Sequence, residues 1–184
     1  MLKILTVPNT VLTSVSKPVK LFDARLKKLV ADMEVTLNAQ VDPQGVGLAA
    51  SQIGENINLF IMKPDPEMAK ITICINPTIL SKPDVIKPRS AQLKIGSARG
   101  KKNKLEGCLS IPHIWSPIKR LPSILIEYQD LDGKKIKKLF RGFEAIIVQH
   151  EIDHLRGVLF TQRAMEQGSP VYEDDGDELK RITI

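Results

Sequence analysis

The sequence predicts an α+β domain in which mixed, largely antiparallel strands pack around a central helix. Strand-like and helix-like segments fall in separate blocks, not in strict alternation, which disfavours a doubly wound parallel sheet. Asp132-Gly133 stands between two β-type runs, as in a hairpin. A chain of 184 residues can bury roughly 70% of its extended surface, enough for a core without staples.

Residues 1–20 contain Pro8 and Pro18 and read as an extended capping segment. From 22 to 39, Phe22, Leu26, Leu29, Val30, Met33 and Leu37 form one helical stripe, with Asp23 in the first turn, where negative charge is favoured. Asp42-Pro43-Gln44-Gly45 marks a turn. Residues 57–62 and the β-branched run 71–75 suit strands. Residues 81–104, rich in Lys, Pro, Gly and Ser, read as loop. Residues 123–128 and 134–140 are the two arms of the hairpin. Residues 142–156 read as a helix, with Gly157 placed to cap its C-terminus. The domain is expected to span 1–164. Residues 165–184 carry the acidic run 173–178 and are expected to be a flexible, solvated tail.

Composition narrows the function classes. Hydrophobic residues at 42% and charged residues at 26% are ordinary globular values. No apolar run approaches the roughly 18 residues that span a bilayer, so no membrane role is expected. The first eight residues lack the apolar stretch of a secretion signal. Two cysteines, Cys74 and Cys108, do not make a disulfide scaffold, and a reducing cytoplasm is the expected setting. The net charge of +6 favours acidic partners such as RNA, but only 4% of residues are aromatic, which disfavours base stacking.

The chemistry concentrates on the second helix. His150-Glu151-Ile152-Asp153-His154 contains H-E-x-x-H, whose chance expectation in this composition is roughly 0.003. Histidines four apart share a helix face and can bind one metal ion, with Glu151 beside it. Phe143, Ile146 and Ile147 precede His150 on the same side, making it apolar; two imidazoles facing a core need partners, and a metal supplies one. A catalytic site of this type needs a third protein ligand. One candidate is Cys108, in Glu106-Gly107-Cys108-Leu109-Ser110. The other is an acidic residue downstream, Glu173 or Glu178, as in zinc endopeptidases. Cys74, inside an apolar strand, reads as inert. The segment Gly45-Val46-Gly47-Leu48-Ala49-Ala50-Ser51-Gln52-Ile53-Gly54 is rich in small residues. It lacks both G-x-G-x-x-G and Gly-Lys-Ser/Thr, which excludes a nucleotide loop.

Together these three segments resemble the peptide deformylase family. Its pattern, with Φ apolar, is G-Φ-G-Φ-A-A-x-Q, E-G-C-Φ-S and H-E-Φ-D-H-L-x-G. It is matched at every defined position by residues 45–52, 106–110 and 150–157. The resemblance implies a metalloenzyme that removes the formyl group from N-formylmethionine of newly made polypeptides. It implies Cys108, His150 and His154 as metal ligands and Glu151 as general acid and base. It implies Gln52 and the Leu109 amide as donors to the developing oxyanion, and Fe²⁺ as the usual metal, with Zn²⁺ or Ni²⁺ as substitutes. Gly45, Val46 and Gly47 are expected against the substrate, and Phe143, Ile146 and Ile147 in a methionine pocket. Arg120 matches a family arginine and is expected to pair with Glu106. Trp115 stands near the position where many relatives carry a peptide-contacting arginine. Lys94, Arg99, Lys101, Lys102 and Lys104, with Lys134, Lys135, Lys137 and Lys138, form a basic surface that could meet ribosomal RNA. Two readings compete with this one: the zinc endopeptidase, and a non-catalytic RNA-binding module with a structural metal.

Overall fold

The computed structural model describes residues 1–65, 67, 71–81 and 105–183. Two antiparallel sheets and three helices make up its frame. Helix α1 is Ala24–Asn38, α2 is Gly142–Leu155 and α3 is Phe160–Gln167. The first sheet has the order β1-β2-β3-β6-β7, from Gly47–Ala49, Leu59–Met62, Thr72–Ser81, Ser123–Gln129 and Lys135–Arg141. The second has the order β4-β5-β8-β9, from Glu106–Cys108, Ile111–Ser116, Val171–Asp174 and Leu179–Ile182.

The first sheet is covered on both faces, which explains the unbroken apolar run of β2. Phe60 and Met62 join Ile124, Ile126, Phe140 and the α2 residues Ala145, Val148 and Ile152 in one buried cluster. Leu59 and Ile61 point the other way, against Leu26, Val30, Met33 and Leu37 of α1. Successive strand side chains alternate faces, so a doubly covered strand must be apolar throughout. β6, covered on one face, alternates in burial along Ser123–Gln129 as Ile124, Ile126 and Tyr128 turn inward.

Helix α1 starts where its cap lies: the Asp23 carboxylate accepts from the Leu26 N–H at 3.0 Å. β3 runs past the expected end at 75 because Asn76 and Pro77 are absorbed by a shift in register between Ile75 and Thr78. The Asn76 side chain fixes this irregularity, bonding Val19 N, Val19 O and Gln129 Oε1 at 2.8–2.9 Å. Gly157, at φ +69°, follows the α2 C-cap, and a Cβ there would strike the Thr13 backbone.

The expected flexible tail is corrected. Its first residues complete α3, so a boundary at 164 would cut a helix. Its acidic run lies in the β8–β9 hairpin, which pairs with β5 through Ile114↔Glu173 and Trp115↔Tyr172. Val171 is buried there, and the exposed acidic turn between the strands is held by Lys180 on Asp175. Sequence charge marked the turn as solvated; the β5 edge supplied backbone partners that charge does not report. Nearly all of the expected loop 81–104, with Lys94, Arg99, Lys101, Lys102 and Lys104, lies outside the described residues.

Candidate metal centre

Two chain segments bring the donors together. β4 ends at Cys108, and α2 presents His150 and His154 one turn apart. Ligand atoms of Cys108, His150 and His154 lie within 4.8 Å of one another, the one such metal-competent group among the described residues. Cys108 Sγ is 3.2 Å from His154 Nε2. The two imidazoles meet edge to face at 4.9 Å. His150 Nδ1 is 3.1 Å from Glu106 Oε2, which leaves Nε2 for the cluster. Phe160 of α3 stacks on the His150 ring at 6.2 Å. Glu173 and Glu178 sit exposed on the hairpin, outside this group. That removes the basis for the endopeptidase reading.

Burial by itself would push the Cys108 thiol up. The His154 charge and hydrogen bonds from His150 and His154 outweigh it and hold the thiol well below its ordinary range. His150 is mostly buried, which opposes its charge, yet bonds to Cys108 and Glu106 raise it well above the usual imidazole value. A thiolate against two ring nitrogens is a soft, mixed S/N donor set that suits a transition metal.

Glu151 follows His150 and is 3% exposed. Its Oε2 has no hydrogen-bond partner among the described residues. Burial first, then the negative charges of Cys108 and Glu106, push its carboxyl up to about 7 against the pull of the two histidines. A buried carboxyl with a free oxygen beside the donor triad is placed to exchange protons with a substrate or water. Gly47 explains how it fits: a Cβ there would collide with Glu151 Oε1 and come within 3.0 Å of Ile147 Cγ2.

Gln52 sits in the single 3₁₀ turn after β1 and is 2% exposed. Its Oε1 accepts from Ala49 N at 2.8 Å, which orients the amide. Its Nε2 donates to Ser110 Oγ at 3.1 Å and lies 3.5 Å from Cys108 Sγ. Leu109 occupies the turn between β4 and β5, directly after Cys108. Gly45 is wedged against Leu37, where a Cβ would lie 2.7 Å from the Leu37 carbonyl oxygen, and Val46 packs on the main cluster. Ile147 is buried and Ile146 half-buried, and Phe143 is 53% exposed at the first turn of α2. Trp115 lies over Gly107, whose Cβ would come within 2.7 Å of the indole.

Behind the donors runs a chain of charges. Arg120 places Nε on Glu106 Oε1 at 2.8 Å and Nη2 on Glu106 Oε2 at 3.0 Å, while Nη1 reaches Asp153 Oδ2 at 2.6 Å. Sequence reasoning missed Asp153, Ser110 and Arg163. The first two lay inside the matched motifs, where their carboxylate and hydroxyl were the available signals. Arg163 had no local signal.

Three candidate donors close together on the H-E-x-x-H helix and β4, with a buried carboxyl alongside, are compatible with the metal site of a metallohydrolase. The family model described as polypeptide deformylase matches residues 1–169. The peptide deformylase of Maricaulis maris is 37% identical over 160 residues, 86% of this chain and 82% of that one. That of Brucella suis is 38% identical over 159 residues, 85% and 81% respectively. The crystal structure of peptide deformylase from Thermotoga maritima superposes with a TM-score of 0.71 at 35% identity, covering 89% of this chain and 97% of that one. The chain belongs to the peptide deformylase family and is a metal-dependent amide hydrolase.

Proposed function

We propose that the chain hydrolyses the formyl group from N-formylmethionine at the amino end of newly made polypeptides. The observation that carries this reading is the Cys108, His150 and His154 cluster with the buried, half-unpartnered Glu151 against it. When bound there, a divalent ion supplies Lewis-acid polarisation and a more acidic water. Fe²⁺ is the metal favoured by the family, and the donor set also accommodates Zn²⁺ or Ni²⁺. Glu151 takes a proton from the attacking water and passes it to the departing amine, so formate and a free amino terminus leave. Gln52 Nε2 and the Leu109 N–H donate to the formyl oxygen as charge grows on it; such a donor is worth roughly 3–4 kcal/mol.

Binding follows from the sheet edges. β1 and β4 are both outer strands, and both end at the site. Gly45, Val46 and Gly47 lead along the β1 edge, where an extended peptide can add as a strand. Ile146 and Ile147 offer apolar surface to the methionine side chain, with Phe143 at its rim. The net charge of +6 supports a salt-sensitive attraction to ribosomal RNA. Of the described lysines, Lys135 and Lys137 face Glu127, and Lys138 faces Glu144. A cytoplasmic setting follows from the substrate, and no helix among the described residues is long and apolar enough to cross a membrane.

The test is anaerobic purification, metal analysis and formate release from a formyl-Met dipeptide. Glu151→Gln is expected to keep its metal while turnover falls about 10²–10⁴-fold. Cys108→Ala is expected to lose the metal. A fully metallated Cys108→Ala, or an active Glu151→Gln, overturns the reading.

A further inference from the structure

We infer that Arg163, on α3, is a positioning residue for His150, acting through Asp153, Arg120 and Glu106. The inference rests on the metal-site reading above. Arg163 forks onto Asp153, with Nε on Oδ2 at 3.0 Å and Nη2 on Oδ1 at 2.7 Å. Oδ2 of the same carboxylate receives Arg120 Nη1. Arg120 in turn forks onto Glu106, and Glu106 Oε2 holds His150 Nδ1. Charges therefore alternate without a gap from α3 to the metal-facing imidazole.

Geometry gives each fork a purpose. Arg120 touches Asp153 through one nitrogen, which leaves the carboxylate free to turn about its own axis. The second fork, from Arg163, fixes the carboxylate plane and so the direction in which Asp153 holds Arg120. Arg120, Asp153 and Glu106 have side chains no more than 11% exposed, so water screens them little. Without Arg163, the two carboxylates share the single buried cation of Arg120. Asp153 then draws Arg120 from Glu106, and the imidazole loses its fixed partner. Outer partners of this kind commonly set metal affinity and ring orientation. Arg163, whose side chain is partly exposed, lines with Asp153 an open cavity of about 450 Å³, so truncation enlarges this cavity and leaves no closed void in the packed core.

The experiment uses the full chain loaded with Co²⁺, whose d–d absorption reports ligand geometry. Loss of Co²⁺ to a chelator is timed, and thermal stability is recorded beside it. Arg163→Ala should release Co²⁺ about 10-fold faster, at the lower end of the range for outer-shell partners, and should shift the d–d bands. Arg163→Lys keeps the charge but not the fork and should fall between Arg163→Ala and the parent. Glu166→Gln, which touches only the solvent side of Arg163, should match the parent. In a Glu106→Gln background the relay is already cut, so Arg163→Ala should add nothing. Unchanged spectrum and release rate with a lowered melting point would make Arg163 a mere brace for α3. An undiminished effect in the Glu106→Gln background would show that it acts by another route. A parent that takes up no Co²⁺ would sink the metal reading itself, and this inference with it.

Discussion

Gly47 and Glu151 share one small space. A single methyl group added to Gly47 would collide with a Glu151 oxygen. Backbone at that point cannot retreat easily, because Gly47 pairs with Met62 in the sheet. The carboxylate must therefore give way. Gly47→Ala is expected to keep its metal, since Cys108, His150 and His154 are untouched, while turnover falls on the order of 10²-fold, the usual penalty for a misplaced catalytic group. Metal analysis beside formate release checks this, and a variant with unchanged turnover would show that Glu151 has room to spare. The same paired residues show why glycine occupies an edge strand at the site: only a residue without a side chain lets β1 pass this close to α2.

Helix α2 carries His150, Glu151 and His154, yet α2 alone cannot orient them. Glu106 comes from β4, Phe160 and Arg163 from α3, and each touches or steers a residue of α2. The β8–β9 hairpin stands further back. It completes β5, accepts the Ser116 hydroxyl on Pro170 O and buries Val171. Ending the chain after Ser169 exposes the Trp115 edge and loses Val171, a cost of about 2 kcal/mol from the apolar burial alone. The melting point is expected to fall by about 4–8 °C, while metal content persists, because no donor lies on the hairpin. Metal loss from the folded, shortened chain would mean that β8 holds the β4–β5 turn in place. Differential scanning calorimetry with metal analysis separates the two.

At the scale of the molecule, the core holds two weak acids in their neutral forms. Burial pushes the Tyr128 phenol up to about 12 and lifts the Cys74 thiol beyond its ordinary value of 9.0. Both protons are bound more tightly in the folded than in the unfolded chain. The stability these two protons contribute is therefore complete below about pH 9 and declines as pH rises through 10 toward 12. For Tyr128 the loss amounts to about 2 kcal/mol by pH 12, at 1.36 kcal/mol per unit. Urea midpoints measured from pH 8 to 11.5 should fall, and Tyr128→Phe should flatten the upper part of that fall. A parallel decline in the phenylalanine variant would assign the alkaline loss to other groups.

The sequence by itself determined the elements whose signals are local. The stripe of α1, the strand-like run of β6, the Asp132-Gly133 hairpin and the H-E-x-x-H face of α2 each depend on a composition, repeat or spacing within a few residues. The segments around Gln52 and Cys108 were legible through their resemblance to the peptide deformylase pattern, which is also written in short runs of sequence. Only the tertiary structure decided what depends on distant neighbours. β4 has three residues, too few for a pattern, and β5 buries its side chains without alternation; they exist because they pair with each other and β5 pairs with β8. The acidic segment 173–178 looks like a tail until the β5 edge offers it backbone partners. Arg163 is an ordinary helix residue until packing sets it on Asp153. Periodicity is written along a chain, whereas pairing partners and charge networks are written across it.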